Sequence, residues 1–209
     1  MDARIVFVSG HYPQVEYAVK TRALFTEYTT RHKYGFYYDE EIPTETRRHQ
    51  LHFRRCNSIA KAAAAFPNAI WLIWVDSDVV VNRPEERIES HMDMTDSTIL
   101  YHLFHEKPYP YPINTGVKIV NRAALPYEKQ IYDLRNTIRW RTFPYEQNVM
   151  AKHILKQLNN KYKIHDPYIL NCIVKIHQQY IPAALFVHMC NMTLWERNRY
   201  ITNFLTQPT

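Results

Sequence analysis

Residues 66–84 read FPNAIWLIWVDSDVVVNRP, and this stretch decides the fold. Its first part, AIWLIWV at 69–75, is the most hydrophobic run in the chain and has the length of a strand. A run without polar alternation is typical of a strand buried on both faces in the middle of a sheet. Asp76 and Asp78 follow it directly. The stretch therefore predicts a central strand with two carboxylates at its carboxyl end, where α/β sheets place their ligands.

The residues before this strand alternate between strand and helix patterns. Apolar runs at 4–9 and 34–38 predict strands, and 15–30 carries apolar residues at helical spacing. Residues 46–65 contain five alanines near their end and predict a second helix. The order strand–helix–strand–helix–strand indicates an α/β fold with a parallel sheet and right-handed crossovers.

The second half of the chain continues with mixed elements. Its patterns predict a short helix near 85–89, strands at 98–104, 117–120 and 184–187, and helices at 124–139 and 146–158. A proline-rich loop contains Pro108, Pro110 and Pro112. A length of 209 residues fits a single domain, although the chain can equally be one domain of a longer protein.

The amino-acid composition limits the kinds of binding partner and the cellular compartment that we expect. The formal net charge of +6 suits an anionic partner such as a nucleotide, a nucleic acid or an acidic surface, without choosing among them. Only three glycines occur, so a glycine-rich phosphate loop is absent. Three widely spaced cysteines, Cys56, Cys172 and Cys190, are neither a disulfide framework nor a zinc ribbon and indicate a reducing compartment. The N-terminal residues predict a strand rather than a signal peptide, and no apolar run is long enough for a membrane span.

Asp76 and Asp78 predict an oxygen site for Mg²⁺ or Mn²⁺. Two close carboxylates repel each other, and a divalent cation removes that repulsion while it also holds a diphosphate. One alternative is a pair of exposed turn aspartates without a ligand. Another is a haloacid-dehalogenase-type phosphatase, in which the first Asp of such a pair is the nucleophile. That motif normally lies on the first strand, whereas here a strand–helix–strand–helix unit precedes it.

The stretch 66–84 resembles the core of GT-A fold glycosyltransferases. The resemblance is greatest to plant xyloglucan xylosyltransferases and fungal α-galactosyltransferases, and we expect the nearest relatives among the capsid-glycan glycosyltransferases of large algal viruses (chloroviruses). Three further blocks match in the family's order, so the resemblance extends over nearly the whole chain. They are Asn114-Thr115-Gly116-Val117, Glu146-Gln147-Asn148 and His188-Met189-Cys190.

The resemblance implies a Rossmann-like, mostly parallel central sheet flanked by helices in a single domain, 1–209. Its nucleotide-binding half is expected at about 1–82 and its acceptor and catalytic half at about 83–209. It also implies Mn²⁺ (or Mg²⁺) bound by Asp76, Asp78 and His188, a UDP-sugar as donor, and Glu146 and Gln147 at the reacting carbon. The residues expected to bind the donor are Ser9, Gly10, Tyr12, Tyr38, Arg55, Asp76, Ser77, Asn114, Thr115 and Gly116.

Several of these residues can also be interpreted from their local sequence, without the family resemblance. His188 follows the apolar run ALFV and lies at a strand end, where imidazole is an acceptable third ligand for Mn²⁺. Arg55 either pairs with a phosphate or belongs to a solvated helix face. Residues 114–116 suit a close approach of backbone to a sugar, or form a plain turn. Glu146 and Gln147 lie beside the sugar, or provide a first turn that complements the helix dipole.

The sequence departs from the family after the late histidine. Many relatives follow that histidine with Gly and then Lys, which contact the diphosphate. Asn191 stands near the Gly position and Leu194 near the Lys position. Arg197 or Arg199 is the candidate replacement for the missing cation.

These features predict a metal-dependent hexosyltransferase that moves a hexose or deoxyhexose from a UDP-sugar to a glycan or glycoprotein acceptor, with retention of anomeric configuration. The alternatives are an Asp-x-Asp phosphatase-type hydrolase and a non-catalytic nucleotide-binding module. Basic residues look scattered apart from Arg47-Arg48 and Arg54-Arg55, so no nucleic-acid partner is expected. The predicted location is the cytoplasm, that of the host if the protein is viral, and the oligomeric state stays open.

Overall fold

The structure is a computed structural model that describes residues 3–42, 47–107, 112–137 and 143–206, apart from the side chains of residues 48 and 49. Its strands are β1 Ile5–Gly10, β2 Gly35–Asp39, β3 Trp71–Val75, β4 Val79–Val81, β5 Tyr101–Phe104, β6 Asn114–Asn121, β7 Tyr162–His165, β8 Cys172–Ile173 and β9 Phe186–His188. Its α-helices are α1 Glu16–His32, α2 Arg48–Leu51, α3 Arg54–Ala65, α4 Leu125–Asp133, α5 Glu146–Val149 and α6 Leu194–Leu205.

Six strands form a central sheet in the order β2-β1-β3-β6-β5-β7. β1 pairs in parallel with both β2 and β3, and β5 pairs in parallel with β7. β6 is antiparallel to β3 and to β5, so one strand runs against an otherwise parallel sheet. This arrangement confirms the predicted single, mostly parallel α/β domain. A second, three-stranded sheet has the order β4-β9-β8 and continues directly from the end of β3.

The two faces of the central sheet bury separate hydrophobic cores. Val6 and Val8 of β1 pack with Phe53 and Ile59 on one face, and we call this the α3 face. Phe7 packs with Phe25 and Tyr28 on the other face, which we call the α1 face. All five residues of β3 are buried and are divided between the two cores, as the continuous apolar run predicts. Packing on both faces thus fixes the position of β3. It also fixes the position of Asp76, which directly follows the carboxyl end of this strand.

The predicted helices are broken more often in the structure than in the sequence pattern. The helix predicted at 46–65 is two helices, α2 and α3, with the fully buried Phe53 at the junction, and its predicted start at residue 46 lies outside the described residues. The helix predicted at 85–89 is a single 3₁₀ turn, Ile88–Ser90, because so short an acidic segment cannot nucleate an α-helix alone.

The two later helices are also shorter than predicted. α4 ends at Asp133 and is followed by the 3₁₀ turn Leu134–Asn136, while the predicted end at residue 139 lies outside the described residues. The segment predicted as one helix at 146–158 is α-helical only over α5. A π-helical turn, Met150–Ile154, and a 3₁₀ turn, Leu155–Gln157, complete it. Such local changes in winding are set by packing, which a 3.6-residue pattern does not contain.

Strand ends differ from the predictions by one to three residues. β5 begins at Tyr101 rather than at residue 98, β6 extends the prediction at both ends to Asn114–Asn121, and β9 begins at Phe186. The extension of β6 includes the polar Asn114, which pairs with Phe104 through the backbone whatever its side chain. Of the proline-rich loop, Pro108 and Pro110 lie outside the described residues. Among the described residues, no helix is both long and apolar enough to cross a membrane.

Candidate functional site

A cavity of about 520 Å³ opens at the carboxyl ends of β1 and β3. We call it the site cavity. Asp76, Ser77 and Asp78 follow β3 into it, and the start of β6 and the start of α5 form one wall. Arg55 from α3 and His188 from the end of β9 complete the lining near the carboxylates. The structure therefore gathers residues from all four sequence blocks at the carboxyl-end edge of the sheet, where open α/β sheets bind their ligands.

Asp76, Asp78 and His188 form a cluster that can hold a metal ion, with one ligand atom from each residue within 4.8 Å of the others. His188 Nε2 lies 3.2 Å from Asp78 Oδ1 and 4.0 Å from Asp76 Oδ2. Pairing of β4 with β9 creates this proximity, since Val79 is the register partner of His188. Residues more than a hundred positions apart in sequence thus meet because the second sheet begins immediately after Asp78.

The His188 ring is held in one orientation by a chain of side-chain hydrogen bonds. Nδ1 of His188 is 2.9 Å from Asn171 Oδ1, which can only accept, so Nδ1 carries the proton of that bond. Asn171 Nδ2 in turn donates to Asn114 Oδ1 at 3.0 Å. Nε2 therefore faces the two carboxylates, in the arrangement that an outer hydrogen-bond partner gives to a metal-binding imidazole.

The protonation of the cluster reflects the short distances within it. Burial acts to raise the pKa of Asp78, but His188 and Arg197 outweigh it and lower that pKa to about 2. Burial raises the pKa of Asp76, and the Arg55 guanidinium opposes this shift without cancelling it. Burial acts to lower the pKa of His188, but Cys190 and Asp78 outweigh it and raise that pKa. The carboxylates thus attract a positive charge to Nε2, either a proton or a cation that displaces it.

Arg55 is fixed as a cation beside the cluster. Its Nη1 donates to the carbonyl oxygen of Thr115 at 2.8 Å and to Thr115 Oγ1 at 2.7 Å. Its Nη2 lies 3.3 Å from Asp76 Oδ1, and Nη1 lies 3.7 Å from Glu146 Oε2. A guanidinium held by three residues is not part of a solvated helix face, so the structure contradicts that alternative.

Glu146 and Gln147 form a part of the cavity wall next to Arg55. Glu146 is 1% exposed and accepts hydrogen bonds from Lys118 Nζ at 3.0 Å and Thr115 Oγ1 at 2.9 Å. Burial acts to raise its pKa, but Lys118 and Arg55 outweigh it, so the carboxylate stays ionised. Gln147 Oε1 accepts from the Thr115 backbone N–H at 3.2 Å, which assigns the orientation of the amide. These contacts go well beyond a capping turn, because both side chains are locked against the strand that carries Thr115.

Gly116 is required where β6 passes under His188. A Cβ atom at this position would lie 2.1 Å from His188 Cε1 and 2.6 Å from His188 Nδ1. The backbone hydrogen bond from Asp76 N–H to the Gly116 carbonyl oxygen, 2.7 Å long, keeps the strand from moving away. The absence of a side chain at residue 116 thus allows strand, imidazole and carboxylates to approach one another.

We expect Gly116→Ala to weaken Mn²⁺ binding by about tenfold or more, because the added methyl group must displace His188 from Asn171. The measurement is Mn²⁺ titration by calorimetry. Gly35→Ala is the matched control, since its Cβ would clash at 2.8 Å with Phe66 and Val6 in the core, far from the cavity. That variant is expected to lose stability but to keep its metal affinity. Unchanged Mn²⁺ affinity in Gly116→Ala would contradict the role assigned to His188.

The structure brings most, but not all, of the predicted donor-binding residues into the site cavity. Gly10, Tyr12, Arg55, Ser77, Asn114, Thr115 and Gly116 line it together with the metal cluster. Ser9 is 3% exposed and does not line it, and Tyr38 lies under the Arg22 guanidinium, whose Cζ is 4.5 Å from the ring centroid. Strand alternation explains the difference. Ser9 shares the α1 face with Phe7, and Tyr38 shares it with Phe36, whereas Trp74, the β3 residue that lines the cavity, lies on the α3 face.

The two arginines that follow His188 differ in their distance from the site cavity. Arg197 Nη2 lies 2.9 Å from Asp78 Oδ2 and lines the cavity, whereas Arg199 stacks on Trp195 outside it. Of the two candidate replacements, Arg197 thus lies beside the metal cluster, whereas Arg199 does not line the cavity. Asn191 has a φ of 62°, the left-handed conformation that Gly adopts without cost and Asn tolerates better than most residues.

Four residues that line or support the site cavity were not predicted from the sequence. Glu106 and Asn171 hold Asn114, Lys118 holds Glu146, and His11 Nδ1 lies 2.8 Å from Ser77 Oγ. Lys118 carries a signal in the sequence, because a lysine inside an apolar strand must be paired when buried. Glu106 follows the end of a predicted strand, where a polar residue merits the same attention as Asp76. Asn171 has no recognisable signal.

Comparisons with known proteins identify the family and the fold. Residues 13–159 match the galactosyl transferase family GMA12/MNN10. A solved glycosyltransferase involved in the glycosylation of the major capsid of PBCV-1 is 47% identical, with a TM-score of 0.93 over 95% of this chain and 98% of that chain. The glycosyltransferase GlyE of Streptococcus pneumoniae TIGR4 in its apo form is 12% identical, with a TM-score of 0.60, and shares the fold over 96% of this chain and 62% of its own. No curated protein matches the chain.

Proposed function

Since the chain belongs to the galactosyl transferase family GMA12/MNN10, we propose that this glycosyltransferase is metal-dependent and transfers a hexose or deoxyhexose from a UDP-sugar with retention of anomeric configuration. The observation that carries the proposal is the cluster of Asp76, Asp78 and His188 in the site cavity, with Arg55 and Arg197 beside it. A site that combines two carboxylates, an imidazole and two guanidinium groups suits a cation together with a diphosphate.

The three residues fit Mn²⁺ or Mg²⁺ in both chemistry and spacing. Carboxylate oxygen and imidazole nitrogen are ligands that Mn²⁺ accepts, and Mg²⁺ accepts the oxygens. Adjacent ligands of an octahedral ion at about 2.1 Å are roughly 3 Å apart, close to the 3.2 Å between His188 Nε2 and Asp78 Oδ1. The fixed ring of His188 supports the same assignment. Such an ion would supply Lewis-acid stabilisation of the departing diphosphate.

The protein's own residues account for the remaining steps. Arg55, paired with Asp76, and Arg197, paired with Asp78, would supply positive charge to a diphosphate bound at the cluster. Glu146, kept ionised by Lys118 and Arg55, sets a negative potential in the wall where the anomeric carbon develops oxocarbenium character. Gln147 lies next to it with its amide orientation fixed by Thr115 and Glu106, and we assign it to the reacting face of the sugar.

Two further parts of the proposal concern acceptor and location. The acceptor is a glycan or a glycoprotein, by analogy with the relative that is involved in glycosylation of the PBCV-1 major capsid. The proposed compartment is the cytoplasm, based on the three free cysteines, of which Cys56 and Cys172 are buried.

The hydrolase alternative finds no support around Asp76. A phosphatase of that type needs a lysine against the nucleophilic carboxylate, and among the described residues the ion pairs of Asp76 involve only Arg55 and His188. Lys118, the buried lysine nearest in the sheet, pairs with Glu128 and Glu146 instead.

The proposal is tested by calorimetric titration of UDP with Mn²⁺ and with EDTA. We expect UDP to bind tightly only with Mn²⁺ or Mg²⁺, because the carboxylates repel a bare diphosphate. GDP and ADP are the matched control nucleotides and are expected to compete poorly with UDP. Equal UDP affinity in EDTA would contradict the metal, and displacement of UDP by equimolar GDP would contradict the nucleotide.

A further inference from the structure

Glu106 is a buried carboxylate in the wall of the site cavity. It follows β5 by two residues, is 6% exposed and lines the cavity beside Asn114 and Gln147. Its Oε1 accepts from Asn114 Nδ2 at 3.2 Å and its Oε2 accepts from Gln147 Nε2 at 2.5 Å. Asn114 is joined through Asn171 to His188, so Glu106 lies two side chains away from the metal cluster. The carboxylate therefore lies in the cavity wall beside Gln147, the residue that we assign to the reacting face of the sugar.

Within the described part of the chain, neither oxygen of Glu106 is paired with a lysine or an arginine, whereas Asp76, Asp78 and Glu146 each have a cationic partner. A carboxylate offers about four acceptor sites, and two amide donors satisfy only half of them. Burial raises the pKa of Glu106, while Gln147 and Asn114 act against that shift. A buried carboxylate with spare acceptor capacity is costly unless further hydrogen-bond donors reach it.

We propose that Glu106 accepts hydrogen bonds from hydroxyl groups of the donor sugar and thereby restricts the donor to neutral sugars. This inference rests on the proposed function of the site cavity. Hydroxyl groups supply the donors that Glu106 lacks, and each brings no charge. A sugar that carries its own carboxylate would place a second negative charge against Glu106, with Glu146 behind it in the same wall. Arg55, the cavity-lining cation that contacts this wall, is already held by Asp76, Glu146 and Thr115.

A carboxylate in this position discriminates between neutral and acidic donor sugars more strongly than a purely apolar pocket would. A site built to hydrogen-bond a hydroxyl group discriminates strongly against analogues that lack it, because its own polar groups are then left unpaired. Like charges in a partly buried site add repulsion to that penalty. The neutral sugar therefore adds to the affinity of UDP, and the uronic acid subtracts from it.

The test compares UDP, UDP-glucose, UDP-galactose and UDP-glucuronate by calorimetry with Mn²⁺, on the wild type and on three variants. In the wild type we expect at least one neutral UDP-hexose to bind more tightly than UDP, and UDP-glucuronate to bind more weakly. Glu106→Gln should leave UDP affinity within about twofold, remove the gain from the hexose and strengthen UDP-glucuronate about tenfold. Glu106→Asp keeps the negative charge, but its shorter side chain holds the carboxylate farther from the sugar. The gain in affinity of a UDP-hexose over UDP should therefore fall, while UDP-glucuronate should still bind more weakly than UDP.

Glu85→Gln is the matched control, because it makes the same chemical change at an exposed position outside the cavity lining. It should reproduce the wild type with all four nucleotides. The inference is overturned if Glu106→Gln binds UDP-hexoses and UDP-glucuronate as the wild type does, or if UDP-glucuronate binds the wild type as tightly as the hexoses. If the wild type binds neither UDP nor any UDP-hexose, the proposed donor itself is wrong, which is a separate outcome.

Discussion

Asp78→Ala is expected to lower UDP affinity in the presence of Mn²⁺ by about a hundredfold or more, and to lower Mn²⁺ affinity with it. Asp78 contributes a carboxylate oxygen to the cluster and pairs with His188 and Arg197. Without it, Asp76 and the diphosphate lose the cation that they share, and the imidazole loses the carboxylate that attracts positive charge. Both titrations are measured by calorimetry.

The sign of this effect distinguishes two physical accounts of the site. If UDP met the carboxylates with no cation between them, removal of Asp78 would remove a repulsion and UDP would bind more tightly. If a cation bridges them, the same change weakens binding. Asp133→Ala is the matched control, since Asp133 is exposed on α4 and pairs only with Lys129 among the described residues. It should leave both affinities unchanged, and tighter binding of UDP by Asp78→Ala would show that no metal bridge exists.

The parts of the site that could be predicted are those with a local signal. AIWLIWV is apolar throughout, so its place in the middle of the sheet and the position of Asp76 at its end follow from the hydrophobic pattern alone. Gly116 and Asn114 were identified by family resemblance, and the structure supplies the physical reason for Gly116, the close approach of His188.

Other features of the site depend on contacts between elements that are distant in sequence. Such contacts do not produce a periodic pattern of apolar residues from which they could be predicted. Ser9 and Tyr38 were expected in the site because they end neighbouring strands, but their position in the two-residue alternation turns them toward α1. Asn171 orients His188 from the position directly before β8, and the pairing of β8 with β9 brings the two residues together. Lys118 is visible in the sequence as a charge within an apolar strand, yet its partners come from α4 and α5 and were not predictable.

Gln147→Ala is expected to bind UDP and Mn²⁺ nearly as well as the wild type but to lose about a hundredfold or more in kcat. Gln147 makes no hydrogen bond to Asp76, Asp78 or His188, and its amide is held by Thr115 and Glu106 at the wall assigned to the sugar. An interaction made mostly in the transition state appears in kcat rather than in ground-state affinity. Gln157→Ala, an exposed change at the end of the same helical segment, is the control and should keep full rate.

Glu146→Ala should fail in a different way from Gln147→Ala, and the comparison tests the assignment of the whole wall. Removal of Glu146 leaves the fully buried Lys118 with Glu128 alone, and loss of one partner of a buried ion pair costs about 3–5 kcal/mol. We therefore expect Glu146→Ala to lower both the free energy of unfolding and kcat, whereas Gln147→Ala lowers kcat only. The measurements are urea unfolding, UDP affinity and donor-hydrolysis rate for each variant. If both variants keep the wild-type rate, Glu146 and Gln147 only anchor α5 to β6, and the reacting face of the sugar lies against another wall of the cavity.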